Sequence, residues 1–410
     1  MISNKIKDGI LGTINIPSDK SISHRSIIIP SISNGISEIN NLLMSDDVLH
    51  TLNAFKTLGV KIENSNDKIL IYGKGLNSLK KPSRSIYLGN SGTSARLLTG
   101  LLASQTFEST LEGDQSLSSR PMTRIMDPLK LMGAEFENIS GTLPLKIIGK
   151  KLNKSKIEIE IPSAQIKSGL ILASLNIEGI SHIIEKNTTR DHTENMLKSF
   201  GADINVEKKH NQTSIYIKGK QELKANNINV PSDLSSSAFF IIAALINKGS
   251  KINLNNININ PSRNGILKAL KKMGAKINIK NQRTLSGEIV ADLDVEYSNL
   301  IGCELDAEMA KFMIDEYPIL SVAAAFAKGT SIFRGLKELK VKESDRLELI
   351  RLNLVNCGCD CQVINDDLII KPSEKYIPIN NIIRTDFDHR IAMSFAVMGS
   401  KIGNLIIDNA

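Results

Sequence analysis

One pattern of apolar and polar positions recurs along this chain. A short strand ends at a Pro or Gly turn, small polar residues follow, and an apolar run of about 12 residues predicts a helix that leads into another strand. The clearest copies are IPSDKSISHRSIIIPSISNGIS (16–37), LGNSGTSARLLTGLLASQTF (88–107), IPSAQIKSGLILASLNIEGIS (161–181) and VPSDLSSSAFFIIAALINKGS (230–250), with less similar copies at 314–333 and 386–404. The glycines after four of these runs are predicted to end the helices, at Gly35, Gly179, Gly249 and Gly329.

A second pattern alternates with the first. Amphipathic segments with apolar residues at helical spacing close at a glycine and continue as a strand of alternating character. The closing glycines are Gly59, Gly133, Gly201, Gly274 and Gly358. Hairpin-like returns such as KILIYGKG and SIYIKGK often follow. Together the two patterns predict a β-α-β-α-β-β unit of roughly 70 residues, present about six times.

Six such units are too many for one sheet, so the chain is predicted to fold as two domains of three units each. The predicted fold class is α/β (α+β), a two-domain inside-out α/β barrel with the helices in the core of each domain and the sheets outside. The matching sequences Pro-Ser-Asp at 17–19 and 231–233 mark two chain crossings. The expected domains are a discontinuous domain I of residues 1–18 plus 231–410, an inserted domain II of residues 19–230, and hinges near 17–19 and 229–232. The sixth unit stops at Ala410 before a second helix, so a C-terminal tail of domain I is expected to be absent.

Composition narrows the class of protein. The 410 residues are 41% hydrophobic and 23% charged, as in ordinary globular proteins. The longest apolar run, 238–246, is too short to cross a bilayer, and the first ten residues contain no apolar segment typical of a secretory signal. We therefore expect a cytoplasmic protein that does not bind a membrane.

The distribution of charges and cysteines argues against nucleic-acid-binding, disulfide-stabilised and metal-binding proteins. The net charge is +8, but the basic residues are dispersed and aromatic residues make up only 4%, with no Trp, which argues against a nucleic-acid surface. The four cysteines are too few and too clustered for a disulfide framework, and no His lies near them to complete a metal site. A reduced protein without metal or nucleic acid is expected, with small anions as ligands.

Basic and small polar residues gather at the predicted helix starts, where free N–H groups and the helix dipole favour anions. An Arg in a first helical turn opposes the dipole unless an anion compensates it, which makes Arg25, Arg96 and Arg390 informative. If the six helices start on the same side of their domains, their starts converge on the cleft between the domains. Other residues at these starts or in neighbouring loops are Lys20, Ser21, Gly92, Arg120, Ser163, Ala164, Gln165, Arg190 and Arg346. Several cations for one ligand indicate carboxylate and phosphate groups.

The stretch VKESDRL, residues 341–347, places four charged residues directly before an apolar run. Ser344 and Asp345 are N-cap types, so Lys342 and Glu343 are predicted to lie in a loop that enters a helix. Together with Asp315 they are candidates for proton transfer, because carboxylates beside cations stay ionised and a Lys among cations loses its proton more readily. The sequence has no G-x-S-x-G elbow, no Walker A motif and no G-x-G-x-x-G, which disfavours nucleophilic serine chemistry and nucleotide binding.

Several of these stretches resemble one family. LGNSGTSARLLTG, KVKESDRLEL, SDKSISHR, SAQIKSG, TRDHTE, DEYPIL and DHRIAMS are similar to motifs of the 5-enolpyruvylshikimate-3-phosphate synthases, in order and over nearly the whole chain, with TRDHTE and DEYPILSVAAAFA closer to the class II subgroup. The resemblance implies an enolpyruvyl (carboxyvinyl) transferase of aromatic amino acid biosynthesis. It would pass the enolpyruvyl group of phosphoenolpyruvate to the 5-hydroxyl of shikimate-3-phosphate and release phosphate through a tetrahedral intermediate, without cofactor or metal.

The resemblance also implies roles for individual residues. Those implied in catalysis are Asp315, Glu343, Lys342 and Lys20. Those implied in binding shikimate-3-phosphate are Lys20, Ser21, Arg25, Ser163, Ala164, Gln165, Arg190, Asp315 and Lys342. Those implied in binding phosphoenolpyruvate are Lys20, Gly92, Arg120, Gln165, Arg346 and Arg390. Glu343 is assigned to protonation at carbon and Asp315 with Lys342 to the hydroxyl proton, while the base of each half-reaction stays open.

Two alternatives belong to other activities. The related UDP-N-acetylglucosamine enolpyruvyl transferases have Asn after the first-motif Lys, where this chain has Ser21, and often use a loop Cys as acid, whereas no Cys precedes Cys303. A non-catalytic anion-binding protein on the same scaffold would have no need of the proton-transfer candidates.

A monomer with small-molecule partners is expected. Glyphosate occupies the phosphoenolpyruvate site in this family, and Gly92 matches a position where Ala confers tolerance, so sensitivity is expected.

Overall fold

The computed structural model describes residues 1–65, 68–138, 140–209, 212–373 and 375–409. Its α-helices are α1 (Lys20–Ser31), α2 (Asp46–Thr57), α3 (Gly92–Ala103), α4 (Gln115–Ser118), α5 (Thr123–Leu131), α6 (Ala164–Ser174), α7 (His192–Ser199), α8 (Leu234–Ile246), α9 (Gly265–Lys272), α10 (Ala310–Met313), α11 (Tyr317–Ala325), α12 (Arg346–Asn356) and α13 (His389–Ile402). Short 3-10 helices cover Ala307–Met309, Ile314–Glu316 and Lys337–Val341.

The strands are short and regularly spaced between the helices. They are β1 (Leu11–Ile14), β2 (Asn34–Asn40), β3 (Lys61–Ser65), β4 (Lys68–Lys74), β5 (Ile86–Tyr87), β6 (Glu108–Glu112), β7 (Glu135–Glu137), β8 (Leu145–Ile148), β9 (Lys156–Ile159), β10 (Ile180–Glu185), β11 (Ile204–Lys209), β12 (Gln212–Lys218), β13 (Ile228–Asn229), β14 (Lys251–Asn258), β15 (Lys276–Leu285), β16 (Glu288–Glu296), β17 (Glu304–Leu305), β18 (Ser331–Phe333), β19 (Asp360–Ile364), β20 (Asp367–Lys371), β21 (Ile382–Ile383) and β22 (Ile406–Ile407).

The chain divides into two compact units. The first unit comprises residues 1–17, 232–283 and 289–410, and the second comprises residues 18–231 and 284–288. Within the residues that the structure describes, each unit carries three β-sheets. The strand orders are β1-β14-β16-β15, β17-β18-β20-β19 and β21-β22 in the first unit, and β13-β2-β4-β3, β5-β6-β8-β7 and β11-β12-β10-β9 in the second.

The four-stranded sheets share one connectivity. In β5-β6-β8-β7, for example, β5 and β6 are parallel and flank α3, whereas β7 and β8 return antiparallel after α5. Parallel neighbours need a crossover helix and antiparallel ones need only a turn, so this order is the one a β-α-β-α-β-β chain produces. The repeated unit predicted from the sequence is confirmed, as is the mixed α/β class.

Two of the β-α-β-α-β-β repeats exchange their first strands, which the order of elements along the sequence did not predict. β1 precedes α1 but pairs in parallel with β14, Leu11 opposite Lys251. β13 precedes α8 but pairs in parallel with β2, Ile228 opposite Ile39. Because the chain passes from one unit to the other directly after each of these strands, the strand stays in one unit and its helix belongs to the other.

Most helices that follow a first strand lie in the core of their unit. Nearly every residue of α3, α6, α8 and α11 is buried, which is the pattern of a core helix rather than a surface helix. Inner strands such as β4 and β12 instead alternate between buried and less buried residues. Each sheet therefore has one face toward its helices and one toward solvent.

Five helices end in the way the sequence predicted. Gly59, Gly133, Gly201, Gly274 and Gly358 all have a positive φ between 78° and 93° and stand two residues beyond the last helical residue. At Gly59 the amide donates to the carbonyl O of Lys56 and the next amide donates to that of Phe55, which is the Schellman pattern of closing hydrogen bonds.

The other four glycines do not end helices, and that prediction is wrong. Gly179, Gly249 and Gly329 follow the last helical residue by three to five positions, and Gly35 lies inside β2. All four have a positive φ, so they serve the turn into the next strand. Residues such as Ile32, after α1, close the helices earlier.

α3 and α6 touch backbone to backbone. A Cβ added to Gly100 would lie 1.9 Å from the carbonyl O of Gly169, and one added to Gly169 would lie 2.7 Å from the carbonyl O of Arg96. No side chain fits at either position. This close crossing brings the first residues of the two helices within hydrogen-bonding distance of each other. Among the described helices, none is both long and apolar enough to span a bilayer.

Candidate active site

Arg25 of the second unit lies in a cradle of oxygen atoms. Its buried side chain donates from Nε to Thr193 Oγ1 at 2.6 Å, from Nη2 to Ser168 Oγ at 2.7 Å and from Nη1 to the carbonyl O of Ser21 at 2.8 Å. Burial lowers the pKa of this guanidinium to about 10, so the side chain still carries its charge at neutral pH. The predicted ligands Ser21 and Arg25 are therefore in direct contact, and the charge of Arg190 acts on the same group.

The start of α6 carries three further predicted ligands. Ser163 is the N-cap, and its Oγ accepts from the amide of Ile166 at 3.4 Å. Ala164 and Gln165 are the first helical residues, where amide groups have no partner within the helix. This helix start offers backbone donors to an anion beside the Arg25 cradle, since Ser168 belongs to the same helix.

Arg96 connects the starts of α3 and α6. Its Nη1 donates to the carbonyl O of Gly92 at 3.1 Å and to Oε1 of Gln165 at 3.2 Å, and its Nη2 donates to the carbonyl O of Pro121 at 3.3 Å. Gln165 in turn donates from Nε2 to Thr93 Oγ1 at 3.1 Å. Arg96, which opposes the helix dipole at the start of α3, thus joins the two predicted ligands Gly92 and Gln165.

A second guanidinium reaches the same helix start. Arg120 donates to Oδ1 of Asn90, two residues before Gly92. An ideal Cβ on Gly92 would lie 2.7 Å from Arg96 Nη1 and 3.3 Å from Arg120 Nη1. Burial, and then the charges of Arg120 and Arg124, lower the pKa of Arg96. Mutually repelling cations around a glycine at a helix start are an arrangement that an anion would stabilise.

Lys20 is placed differently from the other predicted ligands. It is the first residue of α1, its side chain is 56% exposed, and its Nζ pairs with Asp47 Oδ2 at 3.0 Å. An exposed ammonium on a flexible stem can change partners at little cost, because surface ion pairs contribute little stability.

A buried polar chain that the sequence did not reveal supports the starts of α1 and α3. His24 Nδ1 lies 2.7 Å from Thr51 Oγ1, and Thr51 Oγ1 lies 2.5 Å from Ser94 Oγ. Ser94 continues to Ser91, the N-cap of α3, at 2.7 Å. Burial lowers the pKa of His24 to about 3, so the imidazole is neutral and serves as a fixed hydrogen-bonding group.

A buried ion cluster holds α6 against α7 and β10. Lys167 Nζ lies 2.9 Å from both Glu185 Oε2 and Glu194 Oε1, and no side chain of the three is more than 3% exposed. Burial opposes the charge of Lys167, but the charges of Glu194 and Glu185 outweigh it and raise the pKa of the ammonium. Lys167 and Glu194 adjoin Ser168 and Thr193, so this cluster fixes the cradle of Arg25.

In the first unit, Arg346 is enclosed by carboxylates. It begins α12 after the N-cap Asp345 and is 1% exposed. Nε donates to Asp388 Oδ2 at 2.8 Å, Nη1 to Asp315 Oδ1 at 3.4 Å and Nη2 to Glu343 Oε2 at 2.5 Å. One guanidinium thus joins two of the predicted proton-transfer groups.

Lys342 and Arg390 complete this group. Lys342 Nζ lies 3.8 Å from Asp315 Oδ1, and Arg390 Nη1 donates to the carbonyl O of Asp315 at 3.0 Å. The five predicted residues of the first unit are therefore neighbours: Asp315, Lys342, Glu343, Arg346 and Arg390. Carboxylates, an ammonium and guanidinium groups in one cluster can bind an anion and move a proton beside it.

Asp388 was not assigned a role from sequence, although an Asp before a predicted helix is a recognisable N-cap type. It caps α13 by accepting from the amides of Arg390 and Ile391, and it also accepts from Ser344 Oγ at 2.9 Å. Burial opposes its charge, but the hydrogen bond and charge of Arg346 outweigh burial and lower the pKa of Asp388. The same carboxylate thus holds both Arg346 and the backbone at Arg390.

No group of three or more His, Cys, Asp or Glu side chains in the described residues is arranged to hold a metal ion. The cysteines are free and buried, and burial raises the pKa of Cys357 and Cys359 to about 12, which makes them poor metal ligands and nucleophiles.

Comparison with known proteins places this geometry in a family. The model of EPSP synthase (3-phosphoshikimate 1-carboxyvinyltransferase) matches residues 5–410. A 3-phosphoshikimate 1-carboxyvinyltransferase of Ruthia magnifica is 45% identical over 403 residues, which cover 98% of this chain and 92% of the relative. One from Desulforamulus reducens is 42% identical over 415 residues, covering 100% of this chain and 95% of the relative.

Solved structures agree with the sequence comparison. The chain is similar to the structure of EPSP synthase from Acinetobacter baumannii, with a TM-score of 0.91 and 40% sequence identity over 99% of this chain and 93% of that one. An identity of this level over the full length, together with the matching fold, shows common descent and the same two-domain inside-out α/β architecture. The chain belongs to the EPSP synthase family.

Proposed function

We propose that this chain transfers the enolpyruvyl group of phosphoenolpyruvate to the 5-hydroxyl of shikimate-3-phosphate and releases phosphate, in the biosynthesis of chorismate and the aromatic amino acids. Relatives at 45% and 42% identity bear the name of this activity. The observation that carries the proposal is the cluster in which Arg346 contacts both Asp315 and Glu343, with Lys342 beside Asp315. It combines anion binding with proton-transfer groups.

We assign shikimate-3-phosphate chiefly to the second unit. Its proposed ligands are Lys20, Ser21, Arg25, Ser163, Ala164, Gln165, Arg190, Asp315 and Lys342. The amides at the start of α6, which have no partner within the helix, and the positive charge of Arg25 beside them support this assignment, because both attract a phosphate group.

Phosphoenolpyruvate carries a carboxylate and a phosphate, and each favours its own guanidinium or ammonium. We assign its binding to Lys20, Gly92, Arg120, Gln165, Arg346 and Arg390. The convergence of Arg96 and Arg120 at Gly92 supports the assignment of Gly92 and Arg120. Arg390 is suited to an anion because it uses only Nη1 for hydrogen bonds to described residues and keeps Nε and Nη2 for a ligand.

The addition step needs an acid and a base. Protonation of the methylene carbon C3 by the acid form of Glu343 creates cationic character at C2. The 5-hydroxyl oxygen then forms a bond to C2 and passes its proton to the Asp315–Lys342 pair. The product of this step is a tetrahedral adduct that still holds the phosphate.

In the elimination step a proton leaves C3 and returns to Glu343. The C2–O bond to phosphate breaks, and phosphate departs with the electron pair of that bond and takes up the proton held by the Asp315–Lys342 pair. The enolpyruvyl ether remains on the sugar oxygen, and no electron is gained or lost overall. The step requires only acid–base groups and charge stabilisation.

Arg346 offers a way to make Glu343 available. In the structure Arg346 Nη2 is hydrogen-bonded to Glu343, whose side chain is half exposed. A substrate carboxylate that takes this donor releases Glu343 for proton transfer. Binding of phosphoenolpyruvate would thus prepare its own acid.

Further properties follow from the family and belong to the same proposal. We propose that the chain works as a cytoplasmic monomer on small-molecule substrates, and that its domain boundaries lie near 17–19 and 229–232. Sedimentation of the purified chain at several concentrations tests the monomer.

The acceptor test separates the proposed function from the related transferase. Phosphoenolpyruvate is incubated with either shikimate-3-phosphate or UDP-N-acetylglucosamine, and the enolpyruvyl ether is identified by mass spectrometry. We expect product with shikimate-3-phosphate only. Product with the nucleotide sugar alone would replace the proposed function by its relative, and product with neither from a folded chain would overturn both.

A further inference from the structure

Glu316 is a buried acid beside the proposed catalytic group and has no role so far. It ends the 3-10 turn Ile314–Glu316, one residue after Asp315, and is 2% exposed. Its Oε1 accepts from Ser235 Oγ and lies 3.7 Å from Arg390 Nη1. Its Oε2 is buried and has no hydrogen-bond partner among the described residues.

A carboxylate is costly to bury unless a cation compensates it. Burial raises the pKa of Glu316, and the charge of Arg390 is the strongest influence in the opposite direction. The two side chains therefore stabilise each other. Burial likewise opposes the charge of Arg390, and Asp315 and Glu316 outweigh it, so that the pKa of Arg390 is raised.

The contacts of Arg390 are one-sided. Its Nη1 donates to the carbonyl O of Asp315 at 3.0 Å and faces Glu316, while Nε and Nη2 make no hydrogen bond to the described residues. One edge of the guanidinium is thus gripped by the turn that carries Asp315, and the other edge keeps two donors. A guanidinium held in this way already has its two remaining donors oriented to bind a carboxylate or phosphate.

A second layer fixes Glu316 itself. Ser235 donates to Glu316 and receives a hydrogen bond from Arg263, which also pairs with Asp233 at 3.0 Å. Arg263 is 6% exposed. This buried chain of polar groups ends at Arg390, so its rigidity is transmitted to the two unused donors.

We propose that Glu316 is a positioning residue that holds the Nη1 edge of Arg390 so that the remaining two donors face the anionic substrate, phosphoenolpyruvate. This inference rests on the proposed function. It assigns Glu316 to the binding of one substrate and leaves shikimate-3-phosphate to other residues.

The test is steady-state kinetics of Glu316→Gln, which keeps the size and the acceptor for Ser235 but removes the charge. We expect KM for phosphoenolpyruvate to rise about tenfold while KM for shikimate-3-phosphate changes by less than about twofold. Ile319→Val is the matched control, because this buried residue of α11 lies three positions away and carries no charge. It should lower Tm slightly and leave both KM values unchanged.

Each outcome decides the proposal. Equal increases in both KM values, or an unchanged KM for phosphoenolpyruvate, would mean that Glu316 only stabilises the fold. If Glu316→Gln fails to fold, Ser235→Ala replaces it, since loss of the hydroxyl loosens Glu316 and should raise the same KM severalfold, whereas no rise overturns the inference. A wild-type chain without any transfer activity would instead overturn the proposed function, and this role of Glu316 with it.

Discussion

Charged side chains around the buried Arg346 form the proposed catalytic cluster. Arg346 has all three guanidinium nitrogens on carboxylates, and Asp315 takes part in contacts with Arg346 and Lys342. The sequence indicated these residue types because charged residues beside a predicted helix start favour anion binding. It could not indicate the partner Asp388, since that pairing joins positions 42 residues apart.

Removal of Asp315 tests its proposed chemical role. Asp315→Ala should lower kcat by at least about 100-fold, because it removes a proton-transfer group. Binding of shikimate-3-phosphate, measured by calorimetry, should stay within about threefold, because most of its proposed ligands are elsewhere. Loss of binding in parallel with loss of turnover would assign Asp315 to binding or folding instead.

Substitution of Gly92 by Ala tests the proposed phosphoenolpyruvate site. In Gly92→Ala the new methyl group would meet Arg96 Nη1 at 2.7 Å and Arg120 Nη1 at 3.3 Å, so both flexible guanidinium groups must move. We expect glyphosate to inhibit the wild type competitively against phosphoenolpyruvate. In the variant we expect the inhibition constant to rise by about tenfold or more and KM for phosphoenolpyruvate to rise less. Equal sensitivity of both forms would place the ligand elsewhere.

The carboxylate of Asp388 should make the free energy of unfolding depend on pH. Its pKa is lowered in the folded chain, so its contribution is complete above the ordinary value of 3.8 and is lost as pH falls through the lower folded value. Asp388→Asn should therefore cost about 3 kcal/mol at pH 7, by leaving Arg346 short of a buried partner. The difference from wild type should shrink below pH 3.8.

Urea unfolding at several pH values measures this difference. Asp203→Asn is the control, because that side chain is 69% exposed and its replacement should shift the midpoint little at any pH. A deficit of Asp388→Asn that stays constant down to acid pH would show that the charge is not the cause.

At the element scale, local signals determined where helices begin and end. Asp345 and Asp388 were readable as cap types, and both accept amide hydrogen bonds in the structure. The glycine after each amphipathic helix was equally readable, because only a left-handed residue closes the Schellman pattern without strain. Gly35 misled the prediction because its positive φ serves a strand, which looks the same in the sequence.

Gly201 provides a clean test of this local coding. Its φ is +83° and a Cβ there would meet nothing within 4 Å, so any cost of substitution comes from the backbone alone. Gly201→Ala should lower stability by about 1 kcal/mol, and Gly201→Asn should lower it less, because Asn tolerates the left-handed region. Thermal melting of the wild type and both variants measures this order of stability. A Gly201→Ala variant as stable as the wild type would contradict the prediction.

At the scale of the whole molecule, repetition made the fold predictable. Six similar units could be aligned from hydrophobic spacing, and three sheets in each of two compact units correspond to them. The exchange of β1 and β13 between sheets was not predictable, because strand pairing depends on where the chain crosses and leaves no local signal. The ion cluster of Lys167 was hidden for the same reason, since it joins helices and a strand distant in sequence.

The most direct measurement is phosphate release by the purified chain with shikimate-3-phosphate plus phosphoenolpyruvate, each substrate being omitted in turn. We predict release only when both substrates are present, and its loss in Asp315→Ala. Release from phosphoenolpyruvate alone would indicate a phosphatase. No release with both substrates, from a chain that shows a cooperative melting transition, would contradict the enolpyruvyl transfer that the Asp315–Arg346–Glu343 cluster is proposed to perform.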